Sequence, residues 1–396
     1  MKRRNFLKTS ALTSGLLFVP NFLKAFENYA TTNLGFKKLV VIQLAGGNDG
    51  LNTIVPYRND IYYKNRPSLS IKKSNLIAVT DELGFNKNLA PLKNLYDQGY
   101  LSIINNVGYP NPNRSHFRAT DIWQTASDSN QYLETGWLGR YINQYGKMPY
   151  SGIELDDSLS LILKGKDLNG IATKNPKLLF NTTQTPYFKK VLEHKGDAHL
   201  SEHNLGYLYK TMLEAKSSAK YIFETTKTFE TKQTYPNNPF GKQLKTTAQF
   251  INSNIDTKVF YVSMGGFDTH AGQLEKQNRL LDIYSKSIEV FVKDLEQNDT
   301  FKDTLILTFS EFGRRVQQNA ADGTDHGAAN NVFVIGKHLK KPGFYNEAPN
   351  LLDLDANKDI KFSVDFRNIY ATLLDKWLEV DATTILNKQF NSLDFI

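Results

Sequence analysis

The residues best suited to chemistry cluster where apolar runs end in acids. Leu305-Ile-Leu-Thr-Phe-Ser-Glu-Phe-Gly-Arg314 is an apolar run that delivers Glu311, and Gly323-Thr-Asp-His-Gly327 follows closely with Asp325 and His326. Lys38-Leu-Val-Val-Ile-Gln-Leu44 opens in the same way onto Gly46-Gly-Asn-Asp-Gly-Leu-Asn52, and Lys258-Val-Phe-Tyr-Val-Ser263 onto Gly265-Gly-Phe-Asp-Thr-His270. Ligands of open α/β sheets collect outside the carboxyl ends of the strands. Asp49, Asp268, His270, Glu311 and His326 are therefore expected as the ligands of one divalent metal, and oxygen and imidazole donors suit zinc, manganese or calcium. The same residues also suit turns and helix caps, since Asp and Asn before Gly are ordinary turn residues. Their convergence argues for the site: of seven His in the chain, two lie beside Asp in Gly-bounded loops after strands.

Hydrolysis by such a site needs an attacking group. Asn111-Pro-Asn-Arg-Ser-His-Phe-Arg-Ala119 follows a strand-like run and enters a helix near Ser115, where backbone N–H groups favour an anion. Ser115 is the candidate nucleophile, with His116 and Arg314 as its catalytic company. Arg114 and Arg118 could hold a phosphate or sulfate through charge-assisted bonds, and Asn48, Asn52 and Asp325 complete the expected substrate contacts. The alternative reading has Ser115 capping the helix while His116 packs against Trp123.

These side chains need a sheet to position them. Strands are expected near 38–44, 101–106, 258–263, 304–309 and 332–336, alternating with helices near 86–98, 115–126, 130–145, 203–230, 240–254, 272–296 and 364–378. That alternation predicts a three-layer αβα fold with a mostly parallel central sheet. The strands are apolar at successive positions, as in Leu39-Val-Val-Ile42, so both faces of the sheet should be buried. The more polar stretch near 150–240 reads as an inserted cap within a single domain spanning 29–396.

The remaining features set address and exclusions. Met1-Lys-Arg-Arg-Asn-Phe-Leu-Lys8 matches a twin-arginine export signal, and residues 1–28 read as that signal, too short and polar to be an ordinary span. It implies passage through the twin-arginine machinery to the periplasm or beyond, with membrane retention if the signal stays uncleaved. The net charge is +8, but five cations and no acid fall within the first 26 residues, leaving +3 for the rest. That body offers no basic stripe for nucleic acid. The chain has no Cys, so thiolate chemistry, iron–sulfur clusters and Cys-based zinc sites are excluded. No later segment is apolar enough to span a bilayer.

Four motifs in order, Gly46-Gly-Asn-Asp-Gly-Leu-Asn52, Asn113-Arg-Ser-His-Phe117 with Asp121-Ile-Trp-Gln-Thr125, Gly266-Phe-Asp-Thr-His270, and Ser310-Glu-Phe-Gly-Arg314 with Gly323-Thr-Asp-His-Gly327, resemble the exported bacterial family known as domain-of-unknown-function 1501. The resemblance implies a fold similar to the alkaline phosphatase and sulfatase superfamily. It further implies Asp49 as the carboxylate after the first strand, Ser115 as nucleophile, Asp268 with His270 as paired ligands, and His326 as the last ligand. Where those phosphatases carry Asp-His-Gly, this chain has Glu311-Phe312-Gly313, and Phe cannot bind a second metal. The expected function is an exported metal-dependent hydrolase of phosphate or sulfate esters, acting on an anionic small molecule or glycan. The alternative is a non-catalytic envelope protein that binds such a ligand with the same fold.

Overall fold

The structure, a computed structural model, describes residues 36–193 and 204–396. The segment read as an export signal lies outside the described residues. Among the described residues, the strands are β1 (Lys38–Leu44), β2 (Ile54–Val55), β3 (Leu76–Ala78), β4 (Gly84–Asn86), β5 (Leu101–Gly108), β6 (Gly152–Glu154), β7 (Ile171–Ala172), β8 (Val259–Met264), β9 (Thr304–Phe309), β10 (Arg314–Gln318), β11 (Thr324–His326), β12 (Asn330–Ile335), β13 (Gly343–Phe344) and β14 (Val364–Asp365). Nine of them form one sheet in the order β13-β5-β12-β9-β1-β8-β6-β7, with β14 also paired to β5. Every pairing is parallel except those of β12, which runs against both β5 and β9.

The strands that carry the motifs are buried on both faces because helices cover both. Val40, Ile42, Phe260, Val262, Ile306 and Phe333 share one core with Leu92 of α1 (Ala90–Asp97), Leu244 of α2 (Pro239–Asn252) and Ile288 and Phe291 of α3 (Gln273–Gln297). On the other face the cover is aromatic. Trp123 stacks on Phe309 at 4.7 Å and on Phe366 at 4.3 Å, while Trp137 stacks on Tyr370 at 4.2 Å. Burying one such apolar side chain contributes about 1.5–3 kcal/mol, so the continuous apolar runs of the inner strands are what commit the chain to three layers. The expected αβα class with a mostly parallel sheet is the observed one.

Two features depart from expectation. β12 is reversed, so its amino end, not its carboxyl end, reaches the edge where β1, β5, β8 and β9 finish. The 150–240 stretch, read as a cap, supplies β6 and β7 to the main sheet, and its long helix Asn204–Thr226 packs near Pro149–Ser151, which precede β6. Among the described residues no helix is long and apolar enough to cross a membrane.

Candidate functional site

Three parallel strand ends meet at one point because glycines let their loops touch. Gly46, just past β1, has φ +118°, and a Cβ there would lie 2.4 Å from the Asp268 nitrogen, so only glycine permits this approach of the β1 and β8 loops. The Gly46 N–H donates to Glu311 Oε1 at 2.7 Å, tying in the end of β9. The β5 strand feeds the helix His116–Thr125, which brings His116 to the same edge, and reversed β12 is entered through β11, which brings His326. Gly323 sits so close that a Cβ would fall 2.2 Å from the His270 carbonyl, pressing the two His-bearing loops together.

What converges there is a ring of acceptors. Asp268 Oδ1 lies 3.1 Å from His270 Nε2, 3.3 Å from His326 Nε2 and 3.4 Å from His116 Nε2. His270 Nε2 and His326 Nε2 stand only 2.9 Å apart. The other ring nitrogens are all engaged. His326 Nδ1 lies 2.7 Å from the Arg114 carbonyl, His116 Nδ1 2.9 Å from Glu311 Oε1, and His270 Nδ1 3.3 Å from Asp325 Oδ1.

The tautomers follow from those partners. A carbonyl or carboxylate oxygen has no proton to give, so each Nδ1 is the donor, and each neutral ring then turns a lone pair at Nε2 toward Asp268. Four lone-pair atoms facing one another repel unless a cation lies among them, and one extra proton could relieve only one contact. His116 Nε2 is buried and makes no hydrogen bond. Ligand atoms about 2.0–2.1 Å from a tetrahedral zinc lie roughly 3.3 Å from one another, close to the 3.1–3.4 Å that separate Asp268 Oδ1 from the three Nε2 atoms. The ligand atoms of His116, Asp268 and His326 all lie within 4.8 Å of one another; His270 falls outside that group but touches its Asp268 and His326 members. The donor set therefore fits one divalent ion, and ring nitrogens anchored through Nδ1 are the usual outer support of such a site.

Electrostatics agree with that fit. Burial opposes ionisation of Asp268, but the Arg314 hydrogen bond at 2.8 Å and the charge of that guanidinium outweigh it and hold the carboxyl down to about 2. Burial is the main influence that lowers His326, keeping its ring neutral as a ligand must be. His116 is pushed up, first by its hydrogen bond to Glu311, so a metal would compete there with a proton. Asp268 keeps 48% of its side chain exposed, which leaves the cluster open to solvent on one side.

Of the expected ligands, Asp268, His270 and His326 are thus brought together. Asp49 is not: it is fully buried, and its Oδ2 accepts from Arg66 Nη1 at 2.6 Å and from the Gln273 amide. With the guanidinium and the amide both on it and no exposed surface, that oxygen is closed off, whereas Asp268 stays half exposed. Glu311 is also corrected, from ligand to support, because both its oxygens already accept, from Gly46, His116 and Gln43. His116, expected as a catalytic residue or as packing for Trp123, instead points Nε2 at Asp268 and stacks near Phe312 at 4.9 Å.

The expected substrate contacts divide similarly. Arg314 is buried, and its guanidinium meets the carbonyls of Gly46, Gly47, Phe267 and Thr324 as well as Asp268, so it is a brace rather than a substrate group. Arg118 is buried, binds the carbonyls of Asp128, Ser129 and Gln131 and lies over the Tyr132 ring. Asn48 and Asn52 are buried among Gln277, Thr53, Tyr62 and Arg66, so neither is open to substrate. The Arg114 guanidinium is held by Asp359, and Asp325 serves His270. Ser115 is exposed at the start of its helix, and its side chain forms no cap.

Phe312, noted in the sequence only as unable to bind a metal, lies with its ring 4.6 Å from that of His326; sequence reasoning missed the buried Arg66 and Gln273. No local signal marks Arg66 or Gln273, because each acts on a loop distant in sequence. Among the described residues, none from the 150–240 stretch touches this cluster through the contacts above.

Residues 36–390 match the family described as "Protein of unknown function (DUF1501)". No curated protein matches the chain by sequence. Among solved structures, the C-terminal periplasmic domain of EcEptC from Escherichia coli, in complex with Zn, superposes with a TM-score of 0.38 at 11% identity, over 76% of this chain and 72% of that one. The PsFucS1 sulfatase from Pseudoalteromonas sp. gives 0.41 at 11% identity, over 90% and 70%. A protein in the alkaline phosphatase superfamily from Vibrio parahaemolyticus gives 0.38 at 11% identity, over 89% and 69%.

Proposed function

Since this chain belongs to the DUF1501 family, whose members are described only as proteins of unknown function, its activity must be read from its own side chains, and we propose that it is a metal-dependent hydrolase of phosphate or sulfate esters. One observation carries the reading: three imidazoles, each anchored through Nδ1, aim Nε2 at a single carboxylate oxygen on an open sheet edge. When bound, a divalent ion there supplies Lewis acidity toward an anionic ester oxygen. The protein's own contribution is orientation. Glu311, Asp325 and the Arg114 carbonyl set the ring tautomers, and Arg314 fixes Asp268 against rotation. Phe312 backs two of the rings with an apolar wall and stands where a second ion would need a ligand, so one ion is proposed, with zinc favoured by the imidazoles and manganese or calcium as rivals.

Ser115, exposed beside His116 at the amino end of a helix, is the proposed nucleophile. The proposed setting is outside the cytoplasm, by way of the Arg3-Arg4 signal; export that survives changing both to Lys would remove that part. Elemental analysis of the purified protein, with turnover of aryl phosphate and aryl sulfate esters, tests the whole. About one zinc per chain with turnover supports it, and Ser115→Ala should then abolish turnover while leaving the zinc in place. Metal without turnover favours the non-catalytic binding protein, and neither metal nor turnover sinks the hydrolase.

A further inference from the structure

We propose that Gln273, held by Asp49 and Arg66, is a positioning residue that sets the gap between His270 and His326; the proposal rests on the metal reading above. Gln273 opens α3 and is fully buried. Its Oε1 accepts from Thr269 Oγ1 at 3.2 Å and from Thr324 Oγ1 at 2.5 Å. Thr269 immediately precedes His270, and Thr324 lies two residues before His326. One amide oxygen therefore holds both His-bearing segments from the buried side, beside a long Thr324 N–H to Thr269 carbonyl contact at 3.4 Å and, on the outer side, Asn319 Nδ2, which donates to the His270 carbonyl at 3.0 Å and to Asp325 Oδ1 at 3.2 Å.

The amide itself is oriented from behind. Its Nε2 donates to Asp49 Oδ2, the oxygen that also receives Arg66 Nη1. Arg66 goes on to donate from Nε to the Val316 carbonyl at 2.9 Å and from Nη2 to the Arg315 carbonyl at 2.7 Å. Those carbonyls belong to β10, whose Arg314 pairs in register with His326. The strut thus runs from β10 through Arg66 and Asp49 to Gln273, and ends on the two loops whose imidazoles stand 2.9 Å apart. None of its members touches the ion's proposed position. Their effect is on the separation of two ligands, and a shift of a few tenths of an ångström there changes how well a small ion is gripped.

The test uses the full chain, stripped of metal, with zinc as the probe and a competing chromogenic chelator to read affinity. Gln273→Met keeps the volume and helix preference but removes both polar ends. It should weaken zinc binding about 10- to 100-fold, as loss of outer support typically does. Thr324→Val and Thr269→Val, each near-isosteric and each cutting one tether, should weaken it in the same direction and by less. The visible spectrum of the cobalt(II)-loaded forms should change in all three. Leu295→Ala serves as control: it is buried on the same helix, roughly 33 Å along it at 1.5 Å per residue, and should lower thermal stability without changing zinc affinity.

Should Gln273→Met fail to fold, the two Thr variants carry the measurement. Zinc affinity in the folded variants within twofold of the parent overturns the strut and leaves the metal site standing. An equal loss in Leu295→Ala also overturns it, because affinity would then merely track stability. A parent chain that takes up no zinc overturns the metal reading, and the strut with it.

Discussion

Two aspartates that look alike in the chain have opposite lives in the molecule. Asp49 follows β1 after Gly46-Gly47, Asp268 follows β8 after Gly265-Gly266, and β1 and β8 are parallel neighbours. Asp49 is wholly buried against the equally buried Arg66, whereas Asp268 is half exposed among three imidazoles and Arg314. The difference lies in what faces each carboxylate. Each meets a buried guanidinium, but Asp49 is sealed in with Arg66 and Gln273, whereas Asp268 also faces three imidazoles and solvent, as a receptor for a mobile cation must.

That contrast is best broken by cutting both acids. Asp49→Ala strands the buried Arg66 charge, and removing one partner of a buried pair costs about 3–5 kcal/mol, to be read from urea unfolding. Asp268→Ala also unpairs the buried Arg314, but that guanidinium keeps four carbonyl partners and the lost carboxylate is half exposed, so the loss should be smaller; equal losses for the two would erase the distinction. On zinc affinity the ranking turns to the open site. Asp268→Asn should weaken binding by at least about 100-fold, more than outer-support residues usually cost, as measured by chelator competition.

A third carboxylate at a strand end sharpens the comparison. Glu154, closing β6, is buried with Ser160 as its hydrogen-bond partner, and burial, outweighing Ser160 and the charge of Lys164, pushes its carboxyl up to about 7. Its folded pKa exceeds the unfolded value near 4.5, so the protonated acid contributes stability in full below about 4.5, and that contribution is lost as pH rises through about 7. The loss is on the order of 2–3 kcal/mol. Glu154→Gln should flatten this part of the slope between pH 5 and pH 8 in urea midpoints; an unchanged slope would show that the acid is ionised throughout. The smallest effect expected is that of Glu311→Gln, which keeps an acceptor for Gly46 but weakens the hold on His116. It should cost about tenfold in zinc affinity, and a loss as large as that of Asp268→Asn would make Glu311 a ligand after all.

The sheet was legible because its inner strands carry runs of successive apolar residues, and β1, β5, β8, β9 and β12 all fall where the runs predict. Helical periodicity likewise placed Gln273–Gln297. The reversal of β12 was not legible, since direction leaves no mark on composition. β6 and β7 were missed because strands of three and two residues are too short to show a period. At the site, Asp268, His270 and His326 could be read from their loops. The place of His116 in the cluster could not be read, because the acid that orients it stands 195 positions away. Asp49 misled for the same reason: its motif is that of a site residue, and only Arg66, outside the motif, decides otherwise.

The place of β1 between β8 and β9 has a consequence in time. The amide of Gly46 meets Glu311 across 265 positions of chain, so the edge that gathers the imidazoles exists only once the ends of a very long loop have closed. Non-local closure of this kind comes late and slows folding. An ion arriving early finds scattered histidines and no receptor, so added zinc should leave the refolding rate unchanged while slowing unfolding, and release of the ion should coincide with loss of the sheet.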